Sequence, residues 1–139
     1  MSDVKPVNPS QELALAYFHK VENDLLAARA ILAIEYVPYD TACFHCQQLA
    51  EKYLKGFLAW HAAPFERTHD LERLVGQCSE INPILTDLLD SAGWLTQYAV
   101  RIRYPDFPEE PTPAESLQAV DAALMIRKEV RACLGLPEM

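Results

Sequence analysis

The stretch from Tyr39 to His61, YDTACFHCQQLAEKYLKGFLAWH, constrains the fold more than any other part of the chain. At about 100° per residue, Ala42, Cys43, Cys46, Leu49, Ala50, Tyr53, Leu54, Phe57 and Trp60 fall within one broad arc. That is the pattern of a helix buried along most of its length, and the rest of the chain reads as packing around it. Phe44, Gln48, Glu51 and Lys55 form a second row on the far side. A row of amide, acid and amine is either an ordinary solvated face or the working face of a site.

The flanking sequence supplies further helices. Asn8, Pro9 and Gln11 have the order of a capping box with proline at the first helical position. From there Leu13, Tyr17, Val21, Leu25, Ala28 and Leu32 recur three to four apart, giving a first helix that runs to about Tyr36 and ends at Pro38. The short link predicts that it pairs antiparallel with the central helix. Pro64 stops the central helix, and Thr68 is the expected N-cap of a short third helix with Leu71, Leu74, Val75 and Cys78 inside. Asn82 and Pro83 open a fourth helix with the stripe Leu85, Leu88, Leu89, Ala92, Leu95, Ala99 and Ile102, ending at Tyr104 and Pro105. Residues 105–113, PDFPEEPTP, hold four prolines and three acids and read as an extended solvated loop. Thr112, Pro113 and Glu115 then start a last helix, with Leu117, Val120, Ala123, Leu124, Val130 and Leu134 inside, that stops at Gly135 and Pro137. The expectation is an all-α fold: an antiparallel up-and-down bundle of four long helices plus one short helix. Residues 1–139 form a single domain with its core at about 8–135.

Composition narrows the function classes. Half of the residues are hydrophobic and 23% are charged, which suits a globular domain. The net charge of −8 argues against nucleic-acid binding through the overall field, though not against a small basic pocket. No apolar run is long enough to span a bilayer and the N-terminus has no signal-peptide pattern, so the expected compartment is the cytoplasm. Cys43 and Cys46 form a C-x-x-C pair inside the central helix, but without a second pair they read as small buried thiols, as do Cys78 and Cys133. No His, Cys or carboxylate cluster has metal-ligand spacing, and no cofactor is implied.

Helix direction gathers the basic residues. In such a bundle the end of the second helix, the start of the third and the end of the fourth meet, bringing together Lys55, Arg67, His69, Arg101, Arg103 and Tyr104 with the backbone N–H groups after Thr68. This predicts a local anion site on an acidic protein; the alternative is that Arg101 and Arg103 only complement a helix dipole.

Three pieces in order, AcFHcQQlAEKylKgfL (Ala42 to Leu58), THDLerL (Thr68 to Leu74) and RYPD (Arg103 to Asp106), resemble a HEPN domain, the higher eukaryotes and prokaryotes nucleotide-binding family, over about residues 10–135. The resemblance implies a homodimer. Many HEPN domains are metal-independent ribonucleases with an Arg followed four to six residues later by His. None of His19, His45, His61 and His69 follows an arginine at that spacing, so a usual acid–base agent is missing. The chain is more similar to the branch encoded beside a minimal nucleotidyltransferase. That likeness implies a nucleotide- or RNA-phosphate-binding partner in a toxin–antitoxin-like two-component system. Lys55, His69, Arg101, Arg103 and Tyr104 are the expected ligand contacts, with Gln48, Glu51, Lys52, Thr68 and Asp70 in support. Two alternatives stay open: a ribonuclease toxin using Arg101, Arg103, Tyr104 or His69, and a structural adaptor with no ligand. His45 and Gln48, several turns from Lys55, are assigned to packing or a dimer interface.

Overall fold

The computed structural model describes residues 8–101 and 110–138. Among them every regular element is helical: α1 (Pro9–Leu32), α2 (Tyr39–Trp60), α3 (Leu71–Ile81), a 3₁₀ turn (Pro83–Leu88), α4 (Leu89–Thr96), α5 (Tyr98–Arg101) and α6 (Pro113–Cys133). No described helix is long and apolar enough to cross a membrane.

Both capping boxes form as the sequence requires. Asn8 Oδ1 accepts from Gln11 N at 2.9 Å, and Thr112 Oγ1 accepts from Glu115 N at 3.1 Å, each answered by the N3 side chain. The helices end differently from expectation in two places. α1 stops at Leu32 and not near Tyr36, because Ile34, Glu35 and Tyr36 are exposed and gain no packing that would hold another turn. The expected fourth long helix is broken. Pro83 and the Asn82 cap start a tight 3₁₀ turn, and α4 ends where the Thr96 hydroxyl donates back to Ala92 O at 3.0 Å. Residues 102–109, which hold the expected end of that helix and most of the proline-rich loop, lie outside the described residues.

α2 is the central element and packs against α1, α3, α4, α5 and α6. Its predicted arc is buried, with Trp60 partly covered, but burial extends to Gln47, Glu51 and Gly56. α1 runs antiparallel to it, since Phe18 faces Tyr53 and Gly56 while Asp24 faces His45. The inner stripe of α1 is Ala14, Phe18, Val21, Leu25 and Ala28, one residue round from the expected start, so Leu13 is 54% exposed. α6 differs in the same way: Ser116, Ala119, Ala123, Ile126 and Val130 face inward and Leu117 is exposed. Tyr98 is buried and meets Trp94 edge-on at 5.4 Å between ring centroids.

Gly56 lies directly against the Phe18 ring of α1. A Cβ there would lie 2.4 Å from Phe18 Cε1, and Phe18 is itself buried and stacked on Tyr53 at 4.7 Å. Gly56→Ala is therefore expected to lower unfolding stability by roughly 1–3 kcal/mol despite the gain in helix propensity. At Gly93 the clashing atom is the tip of the exposed Glu72 side chain, which can swing away. Gly93→Ala is expected to be neutral or stabilising by up to about 1 kcal/mol. Urea denaturation of both variants checks the contrast.

Candidate functional site

Gln47 and Glu51 lie four residues apart on α2, Gln47 beside the edge of the apolar arc and Glu51 one turn on in the polar row. The structure buries both, leaving Glu51 5% exposed. A buried carboxylate needs partners. Glu51 Oε1 accepts from His69 Nδ1 at 2.7 Å and from Gln47 Nε2 at 3.2 Å, and Oε2 accepts from Lys55 Nζ at 3.1 Å. Gln47 Nε2 also donates to His69 O at 3.2 Å, and Gln48 Nε2 donates to Gln47 Oε1 at 3.0 Å. The amide row thus straps the connector after α2 onto the helix. Burial pushes the Glu51 carboxyl up, but the bonds from His69, Gln47 and Lys55 outweigh it and hold the group below its ordinary range.

The connector itself is fixed by hydrogen bonds. Thr68 does not cap α3; its Oγ1 accepts from Asp70 N at 3.0 Å, and Asp70 is the N-cap, accepting from Glu72 N and Arg73 N. Leu71 N is taken by Thr96 Oγ1 at 3.0 Å. The expected anion site on free N–H groups after Thr68 is therefore corrected: Asp70 and Thr96 occupy them, and a carboxylate sits where the anion was placed.

The model described as HEPN domain matches residues 15–133, most of the chain. The chain belongs to the HEPN domain family. The crystal structure of TT1696 from Thermus thermophilus matches this HEPN chain with a TM-score of 0.66 at 27% identity, covering 84% of this chain and 92% of that one. No curated protein matches it.

Of the expected site residues, this HEPN domain brings Lys55, His69, Glu51 and Gln48 together, with Thr68 and Asp70 holding the backbone beside them. Lys52 points elsewhere: its ammonium meets Asp24 Oδ2 at 3.1 Å, and His45 Nδ1 meets Asp24 Oδ1 at 2.9 Å. His45 is thus an α1–α2 packing contact. Arg101 closes α5, while its side chain, Arg103 and Tyr104 lie outside the described residues. Gln47 was missed by the sequence reading, although a polar residue on an apolar arc was a legible signal. The cysteines form no disulfide, and burial raises the thiols of Cys46 and Cys78 to about 12, which makes them poor nucleophiles. Among the described residues no cluster of His, Cys, Asp or Glu could hold a metal ion.

Proposed function

We propose that this HEPN domain binds nucleotide or RNA phosphate beside the end of α2. In this reading it works as a homodimeric, cytoplasmic partner of a minimal nucleotidyltransferase in a toxin–antitoxin-like pair. One observation supports the ligand site above others: the buried Glu51 carboxylate holds Lys55 and His69 side by side. A single acid thus fixes both side chains before any ligand arrives. Nδ1 of His69 is committed to Glu51, so the half-exposed ring turns Nε2 to a ligand, and the Lys55 ammonium keeps donors beyond the one given to Glu51. Arg103 joins them as a planar fork for phosphate oxygens in this reading.

Calorimetric titration with nucleotides and short RNA tests the site. Lys55→Met and His69→Ala are each expected to weaken binding at least about tenfold, close to 1.4 kcal/mol, and Arg103→Ala to do the same. Absence of binding by the wild type, with its fold intact by thermal melting, overturns the ligand reading.

The Glu51–His69 contact also favours a second reading, a ribonuclease site. A carboxylate on Nδ1 with Nε2 facing outward is the arrangement of an oriented general base. Metal-free cleavage of labelled RNA that His69→Ala abolishes would establish it, and an inert wild type removes it.

A further inference from the structure

A groove lined by the 3₁₀ turn, α4 and α6 has a different chemistry. The 3₁₀ turn, α4 and α6 enclose two neighbouring open cavities of about 420 and 300 Å³, with Met125 in the wall of both. Trp94 lines the first and Ile84 the second. Met125 is 52% exposed and Ile84 59% exposed, so apolar surface here is uncovered by the rest of the chain.

The rim is acidic. Asp90 and Asp121 line the first cavity, Asp87 and Glu129 the second. Among the described residues none of these four carboxylates forms a salt bridge. On the side of Met125 toward α1 the surface turns mixed, with Arg29 and Lys128 lining a cavity together with Asp121, Glu129 and Glu138, so the uniformly acidic section lies on the α4 and 3₁₀ side. Asp121, Met125 and Glu129 recur every four residues and so run along one face of α6. From Gln118 to Glu129 that face is roughly 16 Å long, about three helical turns.

We propose that this groove docks a basic amphipathic helix from another protein, with apolar side chains seated on Trp94, Met125 and Ile84 and Lys or Arg side chains meeting the four carboxylates. Helix-in-groove recognition uses apolar anchors at i, i+3 or i+4 and i+7, and three turns accommodate that spacing. Methionine adapts its shape to such anchors, and a partly covered tryptophan offers large contact area. A nucleic acid is repelled by the same carboxylates. A second copy placed symmetrically on this face would set acid against acid, which costs affinity. The inference rests on different residues from the phosphate site and stands or falls separately from it.

The test uses the full chain and a fluorescent synthetic amphipathic helix of Leu and Lys, about 18 residues long to exceed the groove. Its controls are the Leu/Glu counterpart and oligolysine. Anisotropy is expected to show binding of the Leu/Lys helix alone, weakening at least about tenfold between about 50 and 300 mM salt. Asp90→Lys with Asp121→Lys is expected to weaken binding at least about tenfold, and Met125→Ala severalfold, while Glu12→Lys with Glu35→Lys, an equal charge change on exposed residues elsewhere, stays within about twofold. Equal losses in the two double variants, equal binding of oligolysine, or no binding of the Leu/Lys helix overturns the proposal. Circular dichroism confirms that each variant remains helical.

Discussion

Glu22→Ala is expected to destabilise the domain by about 3–5 kcal/mol, because it strands a guanidinium in the core. Arg127 is 5% exposed, and its Nε donates to Glu22 Oε1 at 2.8 Å. The Tyr53 hydroxyl donates to that same oxygen, and Arg131 Nη1 donates to the hydroxyl at 3.2 Å. Arg127 also lies over the Tyr53 ring, 6.0 Å from its centroid. One carboxylate on α1 therefore anchors a tyrosine of α2 and Arg127 of α6 directly, and Arg131 through the tyrosine hydroxyl. Burial, and then Glu22, raise the Tyr53 phenol above its ordinary value, so it stays neutral and serves as a donor to Glu22. For a domain of this size the loss corresponds to a fall in melting temperature of very roughly 10–15 °C. Glu22→Ala with Arg127→Met is expected to recover much of it, since the unpaired charge is gone and the methionine fills space. Chemical denaturation of the three proteins decides the matter. A single-variant loss under about 1 kcal/mol would mean that water reaches Arg127.

That network shows where the sequence stopped being informative. Glu22 and Arg127 are 105 residues apart, and nothing local pairs them. Long basic side chains on a helix ordinarily reach solvent, so burying two of them is a tertiary decision. What depends on four consecutive residues was legible: the caps at Asn8 and Thr112, and the stop at Gly135, whose φ of +69° suits glycine. The wide arc of α2 was legible because so few of its residues could face water. α1 and α6 carry apolar residues on several sides, so periodicity alone could not choose between Leu13 and Ala14, or between Leu117 and Ser116. The structure buries Ala14 and Ser116 and leaves Leu13 and Leu117 exposed. At the connector, Thr68 and Asp70 are both good caps two residues apart, and only the bonds they form distinguish them. For the site, the grouping of Lys55 with His69 was legible from helix direction, whereas the burial of the acid between them was not.

That acid is the subject of the second large effect. Glu51→Gln is expected to cost roughly 1.5–3 kcal/mol at pH 7, the range for hydrogen bonds to charged groups, because the replacement cannot accept from His69, Gln47 and Lys55 with a full negative charge. The pH dependence identifies the cause. A carboxyl held below its unfolded value binds fewer protons in the folded state, so stability rises with pH across the interval between the two values. The Glu51 contribution is fully present above the unfolded value, about 4.3, and is lost as pH falls through the lower folded one. The gap in stability between wild type and Glu51→Gln is therefore expected to be widest near neutrality and to narrow below about pH 4. Urea midpoints measured from neutral to acid pH give the gap directly, and curves that remain parallel would assign the acid sensitivity to other carboxylates. A double-mutant cycle with Lys55→Met separates the lysine bond from the rest, with a coupling of about 0.5 kcal/mol or more expected for groups in contact. Hydrogen exchange adds a local readout. The strap of Gln47 and Glu51 on His69 is the tie between α2 and the connector, so amides at Thr68 and Asp70 are expected to lose protection in Glu51→Gln while the α1–α2 contact around Asp24 keeps its own. Loss of protection spread evenly over the domain would instead mean that Glu51 supports the whole core, and that the pairing of Lys55 with His69 is a by-product of stability.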